Sequence, residues 1–164
     1  MRDIARSVDM EAASLYNHIS SKQEILRVII MSIAERFTDG LEEISLSEVS
    51  PIQKLEAVIQ QHVQMTIEHT DAIALIPSEW VHLKEPNLKK FVLLRDKYEK
   101  EFKRLMLDAI EAGEIGKVDP DLAVFTLLST LRWLYSWYSK YRPEDTTGLK
   151  SKLTQYLLKG IVSR

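Results

Sequence analysis

The sequence predicts an all-α protein, on three observations. Apolar residues recur at spacings of three and four along nearly the whole chain, as in Ile4 and Val8, then Ile25, Val28, Ile29, Ile33 and Phe37. The β-branched alternation and tight hairpin signals that mark strands are absent. The punctuation falls in short clusters, so neighbouring helices must pack against each other. The 164 residues are 45% apolar and 28% charged, with 5 Gly and 5 Pro, an ordinary globular composition. No Cys is present, which removes disulfides and thiolate metal sites, and no signal-like segment opens the chain; both fit a cytoplasmic protein. A net charge of −2 carries no global basic field, so any nucleic-acid contact must come from a local patch.

The elements follow in order. Arg2 to Val8 reads as a short helix with Ile4, Ala5 and Val8 inward. Asp9 stands where a tight turn needs a left-handed residue, which Asp tolerates at modest cost. Ala12 to Ile19 reads as a second short helix, with Leu15 and Ile19 inward. A long helix runs from about Ser21 to Ile44. Pro51 suits the first turn of the next, which reaches about His69. "TDAIALIPSEW" is a short helix broken by Pro77, and "KEPN" is a further break. A long helix spans about Leu88 to Glu114. Asp119 as N-cap and Pro120 at the first helical position start a helix that runs to about Lys140, and a final one spans Thr146 to Ile161.

The segment Leu122 to Tyr138, "LAVFTLLSTLRWLYSWY", approaches the length of a membrane span, but it carries Arg132 and several hydroxyls. It is apolar almost all round, which a surface helix cannot be. Together with the stripe Leu149, Leu153, Tyr156, Leu157 and Ile161, it predicts a two-fold interface made by two helices from each subunit. The expected interface residues are Leu127, Leu131, Leu134, Leu149, Leu153, Tyr156 and Leu157, in a homodimer with no membrane contact.

The opening pair of helices has the layout of a helix-turn-helix. The small residues Ala12, Ala13 and Ser14 let the second helix approach a groove closely, and Tyr16, Asn17 and His18 supply hydrogen-bonding groups. Lys22 sits at the start of the next helix, where its charge and free backbone amides can hold a phosphate.

The stretch "MRDIARSVDMEAASLYNHISSKQEIL" resembles the DNA-binding signature of the TetR/AcrR family of bacterial transcription repressors. The matching pieces are "RDIA", the apolar residues flanking the turn, "SLYNH" and "SKQEIL". The resemblance implies that Tyr16, His18 and Lys22 meet phosphates, and that Ala12, Ala13, Ser14 and Asn17 lie at base edges or the nearby backbone. It implies a partial DNA-binding domain at 1–27 and a ligand-binding and dimerisation domain at 28–164. The family's first helix, which precedes "RDIA", is expected and is not in this sequence. Asp9 stands where Gly is usual, and Glu11 where a Ser or Thr cap is expected. Over 1–27, Arg2, Arg6, Lys22 and Arg27 are cancelled by Asp3, Asp9, Glu11 and Glu24, so weak DNA binding is expected of this segment alone.

"RDKYEKEF" and "LRWLYSWYSKYRPED" resemble a branch of the family whose repressors respond to acyl-CoA thioesters in fatty-acid and sterol breakdown. That implies an apolar pocket among the middle helices. Its candidate lining is His62, Met65, Thr66, His69, Trp80, Tyr98, Phe102, Trp133 and Trp137, with Arg95 or Arg132 meeting an anionic group. No enzyme activity and no cofactor are expected. Glu79-x-x-His82 has the spacing of di-iron bundles, with His62, Glu68 and His69 a helix away, but only one such pair occurs and no metal site is expected. A dimeric interaction module without DNA binding is the other alternative.

Overall fold

The computed structural model describes residues 21–143 and 145–158. Among them are six α-helices: α1 (Lys22–Leu46), α2 (Pro51–Glu68), α3 (Thr70–Glu79), α4 (Asn87–Glu111), α5 (Pro120–Tyr141) and α6 (Thr146–Leu158). A 3-10 turn, Trp80–His82, links α3 to α4. The two short helices expected ahead of Ser21 lie outside the described residues.

Local chemistry sets most of the helix ends. Ser21 caps α1 by accepting from the Glu24 amide at 3.2 Å. Ser50 and Gln53 form a capping box at the start of α2, where Pro51 takes the first turn. Asp119 caps α5, accepting from the Leu122 amide at 3.0 Å, with Pro120 following. Gly113, at φ +72, turns the chain out of α4, and Ile115 folds back into the core. The Glu114 carboxylate accepts from the Ile52 amide at 2.7 Å and ties this turn to the head of α2.

Pro77 does not break its helix as expected. It lies inside α3, which continues to Glu79. Proline removes one N–H and strains the preceding turn, yet the Trp80 amide still bonds to the Ile76 carbonyl and the helix runs on past it.

Two regions share the body. In the first, α2, α4, α5 and α6, joined by Leu41 of α1, close a packed core around Leu55, Ile59, Phe102, Leu105, Met106, Leu127 and Leu131, all at most 1% exposed. In the second, α1, α3, the end of α2 and the first half of α4 meet in two smaller apolar clusters. One is built on Ile30, Met31, Leu83 and Phe91, the other on Ile33, Met65 and Ile73.

The interface expectation needs correcting on α5. Leu127, Leu131 and Leu134 turn inward and are buried within this chain, so they cannot form an outer face. The exposed apolar side of α5 is instead Leu122, Phe125, Trp133 and Trp137, with Tyr156 exposed on α6. Leu153 and Leu157 pack partly against the chain's own core, and Leu149 is half-buried. The physical reason is that α5 has bulky apolar residues on both sides: Phe125, Trp133 and Trp137 share the exposed side with the polar Thr126, Thr130, Arg132 and Ser136. Among the described residues no helix is long and apolar enough to cross a membrane.

Candidate ligand pocket

Between the two apolar clusters and the packed core lies a cavity of about 330 Å³. Five helices contribute to its wall, each through side chains three or four residues apart. They are Ala34, Phe37 and Thr38 of α1; His62 and Thr66 of α2; Ile73, Ile76 and Pro77 of α3; Phe91, Leu94, Arg95 and Tyr98 of α4; and Leu128, Leu131, Arg132 and Trp133 of α5. Trp80 of the 3-10 turn completes it. Most of this lining is apolar, with a few polar groups converging, the composition that small-molecule sites share.

The polar groups divide into two sets. At the rim, the Arg95 guanidinium lies 5.2 Å from the Trp80 ring centre and pairs with Asp96 at 3.0 Å. Arg132 pairs with Glu99. Inside, His62 and Tyr98 are buried, and His62 Nε2 and the Tyr98 hydroxyl are hydrogen-bonded at 2.7 Å, with the donor set by the imidazole tautomer. Phe37 of α1 packs on this pair, its ring centre 4.6 Å from that of His62 and 6.2 Å from that of Tyr98.

Burial decides the charge state of the pair. Desolvation, helped by the nearby Arg132 charge, lowers His62 to about 3, so the imidazole is neutral at physiological pH. Desolvation also raises Tyr98 above its ordinary value and outweighs the opposing pull of Arg132, so the phenol stays protonated. Thr38 Oγ1 donates to the Ala34 carbonyl of its own helix at 2.9 Å and is committed there.

Of the ten residues expected to line a pocket, the structure brings six to this cavity: His62, Thr66, Trp80, Arg95, Tyr98 and Trp133. Arg132 joins them. The other four lie elsewhere. Met65 packs with Ile33 and Ile73. His69 ends α2, with its Nε2 3.0 Å from Arg36 Nη1. Phe102 is wholly inside the packed core, one turn beyond Tyr98. Trp137 is on the outer side of α5 beside Tyr141. The wall from α1 was missed. Phe37 belongs to the same apolar stripe as Ile33 and Leu41, and nothing in that stripe separates a cavity wall from ordinary core.

Lys22 is exposed on the first turn of α1, while Ala12, Ala13, Ser14, Tyr16, Asn17 and His18 lie outside the described residues. Among the described residues no group of three or more His, Asp and Glu side chains could hold a metal ion. His82 is exposed at the end of the 3-10 turn.

Known proteins match this arrangement. The family described as tetracyclin repressor-like, C-terminal domain, matches residues 48–161, and the chain belongs to that family. It is 25% identical over 167 residues to the HTH-type transcriptional repressor KstR2 of Mycolicibacterium smegmatis, covering 98% of this chain and 80% of that protein. Its fold superposes on the ketosteroid transcriptional regulator KstR2 of Mycobacterium tuberculosis with a TM-score of 0.90 at 20% identity, covering 99% of this chain and 84% of that one. It also superposes on AibR, solved in complex with isovaleryl coenzyme A and operator DNA, with a TM-score of 0.77 at 20% identity and coverage of 94% and 84%.

Proposed function

We propose that this member of the tetracyclin repressor-like family is a transcription repressor whose operator binding is released by a hydrophobic effector carrying an anionic head, an acyl-CoA thioester being the best fit. The observation that carries the reading is the cavity itself: apolar inside, with Arg95 and Arg132 at its rim and α1 as one wall. An acyl chain would occupy the apolar interior, and the phosphates of the thioester would meet the two guanidinium groups. KstR2 of M. smegmatis, named as a repressor, and AibR, bound to an acyl-CoA and operator DNA, support the same assignment.

The mechanism follows from α1. Its 25 residues span about 37 Å at 1.5 Å per residue. Ala34, Phe37 and Thr38 meet the cavity, and Lys22 stands at the other end, next to the segment proposed to read DNA through Ala12, Ala13, Ser14, Tyr16, Asn17 and His18. An occupant that displaces Phe37 tilts this lever. In a homodimer the tilt changes the spacing of two reading heads, which must match one DNA turn of about 34–36 Å. The division into a DNA-binding segment at 1–27 and a ligand-binding and dimerisation domain at 28–164 belongs to this proposal.

The dimer would form through the outer side of α5 and α6, where Leu122, Phe125, Trp133, Trp137 and Tyr156 leave an apolar surface uncovered. Light scattering at micromolar concentration should give twice the chain mass, and Phe125→Asp should halve it, because a charge buried there has no partner. A monomeric wild type would remove this part.

The effector is tested by thermal shift with acyl-CoAs of increasing chain length and, as the rival class, hydrophobic cations. An acyl-CoA should raise the midpoint, and Arg95→Glu or Arg132→Glu should weaken it by about tenfold or more each. A cationic ligand should bind those variants as well or better. A gel shift at low salt should show the same acyl-CoA releasing DNA. If neither class moves the midpoint, the effector reading fails.

A further inference from the structure

The rim arginines account for an anionic head, but they leave the buried pair His62 and Tyr98 without a role. A buried hydroxyl and imidazole are costly to desolvate, and an apolar cavity would be more stable without them. Phenylalanine at 98 would fill the same space. Tyr98 has one O–H donor and acceptor lone pairs, and among the described residues His62 is its one hydrogen-bond partner. The pair therefore has capacity to spare on the cavity wall.

We propose that the Tyr98–His62 pair is a specificity element that reads a neutral oxygen, a carbonyl in the first instance, set on the apolar body of the effector. This rests on the cavity being a ligand site but not on the head being a thioester. The geometry allows one relay. His62 Nε2–H donates to the Tyr98 oxygen, which frees the Tyr98 O–H to donate to the ligand's oxygen. The Arg132 charge near both residues acts in the same direction, since a positive field makes the phenol a better donor. A carbonyl, which only accepts, is thus favoured over a hydrocarbon of the same shape. A cation is disfavoured here, because neither partner carries a negative charge to meet it and the Arg132 charge repels it. Phe37 packs on His62 with the two rings tilted, so the side chains that recognise the oxygen also touch α1.

The test uses bicyclic probes with no anionic head: the regioisomers of decalone against decalin. Binding is read by displacement of an apolar fluorescent dye from wild type, Tyr98→Phe and Thr38→Val. At least one decalone should bind wild type about tenfold more tightly than decalin, the worth of one hydrogen bond in a closed site. In Tyr98→Phe that advantage should shrink to about twofold or less. Thr38→Val should keep it, because Thr38 Oγ1 already serves Ala34. Equal binding of ketone and hydrocarbon to wild type overturns the proposal. So does a preference that survives in Tyr98→Phe, or no displacement by any probe. Should Tyr98→Phe fail to fold, the wild-type comparison and Thr38→Val still decide. Acyl-CoAs titrated in parallel separate the two readings. A ketone preference without acyl-CoA binding sinks the thioester head alone, and acyl-CoA binding without a ketone preference sinks the Tyr98–His62 reading alone.

Discussion

Helix α4 passes through two regions built on different rules. Phe102, Leu105 and Met106 are wholly buried in one apolar cluster with Leu55, Ile59, Leu127 and Leu131. One turn earlier, Tyr98 looks onto a cavity, and a further turn back Arg95 stands at its rim. The two regions use similar side chains, and their helices continue from one into the other. What differs is filling. The first spends its apolar residues on mutual contact, while the second holds larger and more polar groups around a gap. Contact density stabilises the fold, and the gap is where a ligand can supply the missing contacts. Stability and sensitivity are thus divided along the length of the same helices.

The largest expected effect tests that division directly. Phe102→Ala should cost about 3–5 kcal/mol in urea unfolding, since it removes a wholly buried ring from a region that cannot collapse. Ile76→Ala, on the cavity wall, should cost roughly 1–2 kcal/mol, because truncation only enlarges a gap already present. Equal costs would break the comparison.

Next in size is a pH effect confined to the cavity region. His62 titrates near 3 in the folded chain and near 6.5 unfolded, so between those values the unfolded state binds one more proton. Stability is therefore highest above about pH 6.5 and falls as the pH drops toward 3. Between pH 6.5 and 5 the loss should be about 2 kcal/mol, and His62→Gln should flatten the profile over that interval. The carboxylates held low by hydrogen bonds from arginine, Glu24 with Arg27 and Glu101 with Arg104, add their losses only below the ordinary carboxylate range. A wild-type profile flat from pH 6.5 to 5 would contradict a buried neutral His62.

The smallest effect sharpens the contrast at the packed end. Gly113 has φ +72 and open space around the position of a Cβ, so Gly113→Ala should cost about 1 kcal/mol from the backbone alone. Gly113→Asn should cost less, because Asn tolerates the left-handed region. A loss as large as that of Phe102→Ala would mean that the turn, not the core, holds this end together.

Much of the architecture was legible in residues a few positions apart. Apolar spacing fixed the helices, Asp119 with Pro120 and Ser50 with Pro51 marked two of their starts, and the stretch from Met1 to Leu26 carried the family likeness. Six of the ten suggested pocket residues reach the cavity. Tertiary structure alone decided the rest. Helix α5 carries bulky apolar residues on both sides, so contact with α2, α3 and α4 turned Leu127, Leu131 and Leu134 inward and left Phe125, Trp133 and Trp137 outside. Pro77 lies within a helix against the preference of its own residue type. Phe37 and Phe102 both read as core, yet only Phe37 borders the cavity. Capping and periodicity are local forces, acting over about one turn and recorded in the chain itself. A cavity, and the face a helix hides, depend on where distant helices come to rest, which no single stretch of the chain records.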